Sequence, residues 1–233
     1  MAYDFDSIAT RYDRLNHIMT GSLDKRWRRK AAKAVARHSS HRHLDVATGT
    51  GDLAYEIIRQ SHGKTAVTGV DLSEKMLSIA HHKIPQATLQ IANAEQLPFT
   101  SNFFDSVSAA FGIRNFVHLD KGLAEMARVL RPGGLMIILE LSTPDNAIVR
   151  SFYNLYAHLV IPCLGQLVAG NREAYKYLAR SIDNFPKGEA MIDRLCAAGI
   201  EVEQKKFLFG TCRMYTGIKK QTHNGRQLFG KQI

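Results

Sequence analysis

Cysteine is scarce in this sequence, and long apolar runs are missing. Three cysteines occur among 233 residues, and none of them has C-x-x-C or metal-ligand spacing. This count argues against a disulfide framework and a cysteine metal site, and it favours a reducing compartment. The longest apolar stretch, residues 155–170, contains His158, Pro162 and Gln166, so it is too short and too interrupted to span a bilayer. Residues 1–20 have no apolar signal-peptide core, and we expect a cytoplasmic protein.

Acidic residues are outnumbered, and the excess positive charge is unevenly distributed. The formal net charge is +10, and residues 24–37 carry seven Lys or Arg against one Asp. A second basic segment is the polar tail 219–233. Such surfaces suit RNA, anionic lipid, or a solvated helix face that binds nothing. Trp27 within the first run favours a membrane interface, where its amphipathic ring is stable.

Along most of the chain, short apolar segments typical of strands alternate with segments whose apolar residues recur at helical spacing. Residues 1–42 are predicted to be helical, and strands are predicted at 43–47, 66–72, 87–93, 103–111 and 135–141. Ser73 is expected to cap a helix that Pro85 stops. A helical region follows at about 146–198, and two final strands can pair as an antiparallel hairpin. Strands separated by helices predict an α/β fold with a mostly parallel sheet and helices on both faces.

A glycine turn follows the first predicted strand, in the segment LDVATGTGDLA at 44–54. Gly49, Gly51 and Ala54, with Asp71 at the end of the second strand, also match the dinucleotide-binding fingerprint. Asp45 and Asp52 bracket the turn, and two carboxylates there would repel a pyrophosphate. They suit S-adenosylmethionine, which carries a sulfonium and an ammonium group. Asp71 can then meet its ribose, with the adenine beyond the third strand.

Several longer segments carry a family resemblance. FGIRNF at 111–116, LELSTP at 139–144, NREAYKYLARSIDNFP at 171–186 and the N-terminal FDSIATRYDRLNHIMTGSLDKRWR resemble the ubiquinone/menaquinone biosynthesis C-methyltransferases, within the class I S-adenosylmethionine-dependent methyltransferases. The resemblance implies a Rossmann-like, seven-stranded, mostly parallel sheet whose last strand is antiparallel. One methyltransferase domain is expected at 1–218, with an N-terminal helical cap at 1–42, a core at 43–218 and a lid insertion at about 146–185.

The resemblance and the charge argument together define the expected site. Arg114 and Asn115, which follow strand four at the carboxyl edge of the sheet, are predicted to act on the acceptor. The chain has Ala110 where some family members have a serine that contacts the cofactor. The residues predicted to bind S-adenosylmethionine are Asp45, Gly49, Thr50, Gly51, Asp71, Leu72, Asn93 and Ala94. No metal is expected.

The resemblance also implies the acceptor, a polyprenyl hydroquinone and foremost demethylmenaquinol. A benzoquinol or another small lipophilic acceptor, such as a sterol or a polyketide phenol, is the alternative. Arg114 could instead pair with Asp105 or Glu140 and only hold its loop. His118, Tyr153 and His158 are all candidates for the base. The apolar stretch 152–169 is expected to form part of the wall and lid around an isoprenoid tail, with an ordinary buried helix pair as the alternative.

The expected partners follow from that acceptor. A lipid-soluble substrate gives the basic run at 24–37 a use in transient docking on an anionic membrane, at the inner face and without insertion. Nucleic acid is not expected, because the loop after strand four lacks the Pro-Pro of many base amino-methyltransferases. A homodimer is also possible. A cofactor-binding scaffold without catalytic activity is the alternative to an enzyme.

Overall fold

The fold is that of a computed structural model, which describes residues 13, 16–160 and 172–221. Residues 1–12, 14 and 15 of the predicted cap, residues 161–171 of the predicted lid and the tail beyond residue 221 lie outside the described residues. The strands are β1 (Arg42–Val46), β2 (Ala66–Asp71), β3 (Thr88–Ile91), β4 (Phe104–Ala110), β5 (Leu130–Leu141), β6 (Ile200–Phe207) and β7 (Cys212–Lys219). The α-helices are α1 (Leu23–Arg37), α2 (Asp52–Gln60), α3 (Glu74–Lys83), α4 (Leu119–Val129), α5 (Ala147–Leu155), α6 (Arg172–Asn184) and α7 (Glu189–Ala197).

The seven strands form one sheet in the order β3-β2-β1-β4-β5-β7-β6. Parallel pairing joins β1 to β2 and β4, β2 to β3, and β4 to β5. The last strand, β7, pairs antiparallel with both β5 and β6. The expected mostly parallel sheet with an antiparallel last strand is therefore confirmed. The strand order reverses between β1 and β4, and the carboxyl ends of strands at such a point form the usual ligand crevice.

Two apolar layers cover the two faces of the sheet. Alternate residues of β4 and β5, such as Val107 and Met136, pack in one cluster with α4 and α7. The intervening β5 residues, such as Ile137, pack in a second cluster with α1 and α2. Side chains of a strand alternate between faces, so a strand buried on both sides needs apolar residues throughout.

Local sequence signals account for several boundaries. Ser73 caps α3 as expected, since its hydroxyl accepts a hydrogen bond of 3.1 Å from the Met76 amide. The helix ends at Lys83, two residues before Pro85. Strand β5 is longer than predicted because it begins at Leu130, before the Pro-Gly-Gly turn, and its pairing with β4 shifts register there.

The basic helix α1 lies in the helical layer on the sheet, so part of the segment predicted as an N-terminal cap is built into the core. Trp27 is only 6% exposed and packs against Phe111 and Phe207, with ring centroids 6.5 and 6.1 Å away. The prediction that Trp27 lies at a membrane interface is therefore wrong. The charged run made α1 resemble a surface helix, but its apolar face is needed to cover the sheet.

Candidate active site

The glycine turn connects β1 to α2 at the point where the strand order reverses. Gly49 and Gly51 have φ values of 56° and 82°, which L side chains rarely adopt. A Cβ on Gly51 would also lie 2.9 Å from Ile84 Cδ1. Gly49 has no protein atom within 4 Å of the place where its Cβ would be. The backbone at Gly49 is thus open to a ligand, whereas Gly51 allows α2 and α3 to pack closely.

The acid at the end of β2 holds this turn in place. Asp71 Oδ2 accepts a hydrogen bond of 2.8 Å from the Gly49 amide, and its Oδ1 accepts one of 2.9 Å from the Ser73 amide. The two carboxylate oxygens therefore tie the glycine turn to the start of α3. The carboxylate stands beside the turn, where the sequence predicted an acid for the ribose.

A chain of buried polar side chains lies under the turn. Asp45, 1% exposed, accepts hydrogen bonds of 2.7 Å from both the Thr48 and Ser108 hydroxyls. Ser108 in turn lies 2.8 Å from His43 Nε2, and His43 Nδ1 lies 2.6 Å from the Ser106 hydroxyl. Burial raises the pKa of Asp45 to about 6, although both hydroxyls favour its ionised form. Burial also lowers the pKa of His43 to about 3, so this histidine is neutral.

Two cations compensate the carboxylates at the turn. Lys83 Nζ lies 2.5 Å from Asp52 Oδ1 and 2.8 Å from Asp13 Oδ2. Arg28 Nη2 lies 3.7 Å from Asp52 Oδ2. The Thr50 hydroxyl donates a hydrogen bond of 2.5 Å to Asp13. The charge argument made from the sequence was therefore incomplete, because it counted the acids and missed both cations.

A cavity of about 540 Å³ opens above the turn, at the carboxyl ends of β1, β2 and β4. Its volume lies within the range of small-molecule sites. Of the residues predicted to bind the cofactor, Gly51 does not line it. The others all do: Asp45, Gly49, Thr50, Asp71, Leu72, Asn93 and Ala94.

A smaller apolar chamber of about 150 Å³ adjoins this cavity, and Arg28 and Phe111 line both. The Arg28 guanidinium lies over the Phe111 ring, 4.9 Å from its centroid. Phe111 follows β4 with a φ of 59°, a strained conformation for this residue. The chamber walls include Met19 and Trp27 from the N-terminal part and Tyr153, Tyr156, Leu178, Ile182 and Leu208 from the later segments.

Comparisons with known proteins identify the family of this chain. The sequence profile of the ubiE/COQ5 methyltransferase family matches residues 2–219. The chain belongs to the ubiE/COQ5 methyltransferase family. It is 40% identical to a protein of Bacteroides fragilis named demethylmenaquinone methyltransferase, over 92% of this chain and 90% of the relative. It is 43% identical to the ubiquinone/menaquinone biosynthesis C-methyltransferase UbiE of Geobacter sulfurreducens, over 92% and 86%.

Solved structures show the same fold for this ubiE/COQ5 family member. A SAM-dependent methyltransferase of Thermotoga maritima, 18% identical, matches with a TM-score of 0.63 over 93% of this chain and 98% of that one. A phosphoethanolamine N-methyltransferase of Haemonchus contortus, in complex with S-adenosyl-L-methionine, is 16% identical, with a TM-score of 0.61 over 92% and 60%. The chain therefore has the fold of the class I S-adenosylmethionine-dependent methyltransferases, and its family membership makes it an S-adenosylmethionine-dependent methyltransferase.

The two residues predicted to act on the acceptor are divided between the two cavities. Arg114 lines the apolar chamber, and its Nη1 lies 2.7 Å from Glu140 Oε1 and donates to the Phe111 carbonyl. Asn115 lines the larger cavity, and its Oδ1 accepts a hydrogen bond of 3.1 Å from the Tyr177 hydroxyl. The sequence left open an ion pair of Arg114 with Asp105 or with Glu140, and in the structure Arg114 pairs with Glu140.

The predicted bases of this methyltransferase are not favourably placed. His118 is half-exposed at the rim of the larger cavity and pairs with Glu95 at 2.9 Å. Tyr153 lines the chamber, but burial raises its pKa further above its ordinary value, so it is a hydrogen-bond donor at neutral pH. The side chain of His158 lies outside the described residues.

Sequence reasoning missed a cluster at the start of α1. Asp24 is 1% exposed and lines the apolar chamber. It accepts hydrogen bonds from Thr20 at 2.8 Å and from Arg28, and it lies 2.7 Å from His17 Nδ1. Burial opposes ionisation, but Arg28 with the Thr20 and His17 contacts outweighs it, so the Asp24 pKa lies below its usual range. The four-residue spacing of Asp24 and Arg28 was visible in the sequence. It did not indicate a buried cluster, because ion pairs with this spacing are common on exposed helix surfaces.

The same cluster brings together possible metal ligands. His17, Asp24 and Asp52 place ligand atoms within 4.8 Å of one another. Arg28 pairs with both carboxylates, however, and its guanidinium supplies the positive charge that a metal would bring. These residues therefore form an ion-pair cluster between the two cavities.

Proposed function

We propose that this methyltransferase transfers the methyl group of S-adenosylmethionine to a ring carbon of a polyprenyl hydroquinone, foremost demethylmenaquinol. The observation that carries the proposal is the pair of adjoining cavities that share Arg28 and Phe111, one lined by both charged and apolar side chains and the other almost wholly apolar. The names of two relatives, a demethylmenaquinone methyltransferase and a ubiquinone/menaquinone biosynthesis C-methyltransferase, support the acceptor class.

The residues around the larger cavity fit the methyl donor. When bound, S-adenosylmethionine supplies a methyl group on a positively charged sulfur. Asp45 and Asp71 would hold its cationic and ribose groups, and Gly49 leaves open backbone beside them. Asn93 and Ala94, after β3, would flank the adenine, and Leu72 is 66% exposed at the same edge. We propose that no metal takes part, since Arg28 occupies the ligand cluster nearest to this cavity.

The apolar chamber suits an aromatic ring that must become nucleophilic. The acceptor loses a hydroxyl proton, and its ring carbon bonds to the methyl group while the bond between that methyl group and sulfur breaks, which leaves a neutral thioether. The hydrogen on that carbon then leaves as a proton, and the ring oxygen regains a proton. Arg28 and Arg114 stand at the chamber wall and would stabilise the phenolate. Tyr153, kept protonated by burial, can donate to a ring oxygen. The negative ring and positive sulfur neutralise each other, so a dry chamber accommodates the transition state.

We propose that the hydroxyl proton passes by way of the Asp24 carboxylate to His17. Asp24 lines the chamber and is held ionised by Arg28, and His17 contacts its carboxylate. Histidine is the side chain suited to take up a proton near neutral pH. Asn115, tied to Tyr177, would orient a ring oxygen from the side of the donor cavity.

Methylation of defined acceptors tests the proposal. Purified protein is incubated with labelled S-adenosylmethionine and either demethylmenaquinol or the equivalent demethylated benzoquinol, and the products are identified by mass spectrometry. Label in the ring of the naphthoquinol is expected. Label in the benzoquinol alone would move the assignment to ubiquinone synthesis. Donor binding without transfer to either quinol would refute the proposal and favour a scaffold.

The cellular setting follows from the acceptor. No helix among the described residues is long and apolar enough to cross a membrane. We propose a cytoplasmic protein that acts transiently at the inner membrane surface, where a polyprenyl quinol is dissolved.

A further inference from the structure

One face of α5 and the following π-helical turn (Tyr156–Val160) exposes an apolar stripe. Ile148, Phe152, Leu155 and Leu159 are 71%, 71%, 60% and 60% exposed. Their spacing of four, three and four residues places them on the same side of a helix. Scattered apolar residues are normal at a surface, but a continuous stripe of large ones marks a binding face.

A second exposed apolar group lies at the tip after β6. Leu208 and Phe209 are 51% and 76% exposed. Their φ values of 41° and 56° are strained for residues other than glycine. Such strain persists where function requires a particular display of side chains. Leu208 also lines the apolar chamber, so the tip stands at the mouth of that chamber.

The stripe and the tip border the same chamber. Tyr153 and Tyr156, on the inward side of the stripe, line the chamber together with Leu208. Asp145, just before α5, pairs with Lys206 at 2.7 Å and with Arg213, which flank the tip in sequence. The start of α5 and the tip are therefore joined by ion pairs.

A basic stripe continues this surface. Arg26, Lys30, Lys33 and Arg37 repeat on α1 with spacing four, three and four, and all are exposed. Lys30 Nζ lies 5.0 Å from the ring centroid of Phe207, the residue that precedes the tip. The buried face of α1 holds Trp27 and Arg28, so these four cations form its outer face.

We propose that these groups, here called the docking face (148, 152, 155, 159, 208 and 209 with the basic stripe), bind an anionic phospholipid bilayer. The inference rests on the proposed function, because a membrane-dissolved acceptor would enter the chamber at this face. Apolar side chains beside a row of cations are the arrangement that binds the lipid interface. A second copy of the chain is a poorer occupant, since each copy carries a net charge of +10.

Vesicle sedimentation tests the docking face with paired variants. The full-length protein is spun with vesicles of phosphatidylcholine alone or with phosphatidylglycerol added. Wild type is expected to sediment only with the anionic vesicles and to be released by salt. Phe152→Ser with Phe209→Ser is expected to weaken binding by at least about tenfold, given the apolar burial that is lost. Ile91→Ser, at a 55% exposed site on the opposite edge of the sheet, is the matched control and should bind normally.

A second pair of variants tests how the basic stripe contributes to vesicle binding. Arg26→Glu with Lys33→Glu is expected to abolish the preference for anionic lipid. Lys64→Glu with Lys121→Glu makes the same change in charge at exposed sites outside the docking face and should leave that preference intact. Thermal unfolding of each variant confirms that the fold is retained. Equal sedimentation of docking-face and control variants would overturn the proposal, as would wild-type binding that ignores lipid charge.

A soluble acceptor separates docking from catalysis. With a short-chain, water-soluble demethylated naphthoquinol, the docking-face variants should retain wild-type turnover, and they should lose turnover only on the long-chain quinol held in vesicles. Wild type inactive on both acceptors would refute the proposed function. Wild type active on the soluble acceptor but unable to bind vesicles would refute docking alone. The docking face would be assigned to a second copy of the chain if the wild type self-associated without binding vesicles and Phe152→Ser with Phe209→Ser disrupted that association.

Discussion

The ionised carboxylate of Asp45 is expected to lower the free energy of unfolding, although the same carboxylate is proposed to bind the methyl donor. Its side chain is buried between Thr48 and Ser108, and its pKa rises from 3.8 to about 6. Each pKa unit is worth about 1.36 kcal/mol, so keeping Asp45 ionised in the folded state costs about 3 kcal/mol above pH 6. The sign follows from the raised pKa: the folded state binds the proton more tightly, and stability falls as pH rises from about 4 to 6.

Asp45→Asn should remove this cost. Urea unfolding without ligand at pH 7.5 should show the variant to be more stable by up to about 3 kcal/mol, and by about half as much at pH 5, where wild-type Asp45 is mostly protonated. Calorimetry should show much weaker binding of S-adenosylmethionine, because the carboxylate facing the cationic donor is lost.

Asp105→Asn is the matched control with the opposite sign. Asp105 is also buried, but amides of Arg42 and His41 and the guanidinium of Arg131 outweigh burial and lower its pKa. Its substitution should destabilise the protein at pH 7.5. Destabilisation by Asp45→Asn at both pH values, or donor binding equal to wild type, would refute the reasoning.

Other substitutions test the chamber and the turn. Arg114→Lys should lower kcat on the quinol by about 100-fold, while calorimetry should show unchanged donor affinity. The reason is that a single ammonium cannot replace the planar guanidinium that Glu140 holds in place. A kcat equal to that of wild type would exclude Arg114 from the reaction. His17→Gln should lower kcat most at neutral pH and alter the pH profile of kcat, and an unaltered profile would exclude His17 as the proton acceptor. Gly51→Ala should reduce the free energy of unfolding by about 2–4 kcal/mol, because φ strain and contact with Ile84 combine. Gly133→Ala, with a φ of 73° and open space, should cost about 1 kcal/mol in the same urea titration, and equal losses would contradict the packing argument.

Much of the fold could be predicted because its signals are local. Strands of continuous apolar residues, the Ser73 cap and the glycines of the turn depend on backbone conformations and periodicities within a few residues. The location of the ligand crevice could also be predicted, because chains of alternating strands and helices usually adopt a strand order that reverses next to the first strand. Seven of the eight predicted donor residues line one cavity for this reason, since they lie at or just after the carboxyl ends of neighbouring parallel strands.

Contacts between distant residues were not accessible from the sequence alone. Lys83 reaches Asp52 and Asp13 across 31 and 70 positions, and Arg114 reaches Glu140 across 26. Such pairs have no periodic signature, so the sequence showed acids at the turn without the cations that compensate them. Trp27 likewise lies in a charged run, and only the packing of α1 on the sheet buries it.

The sequence therefore established the scaffold, the turn and the edge of the sheet where a ligand binds, because local conformation and strand direction follow from short patterns. Tertiary packing established which charges are paired, which histidine meets a buried carboxylate, and which apolar side chains stay exposed. These features depend on the burial of whole helices and on partners brought together by the sheet, and burial is a property of the assembled layers rather than of any one segment.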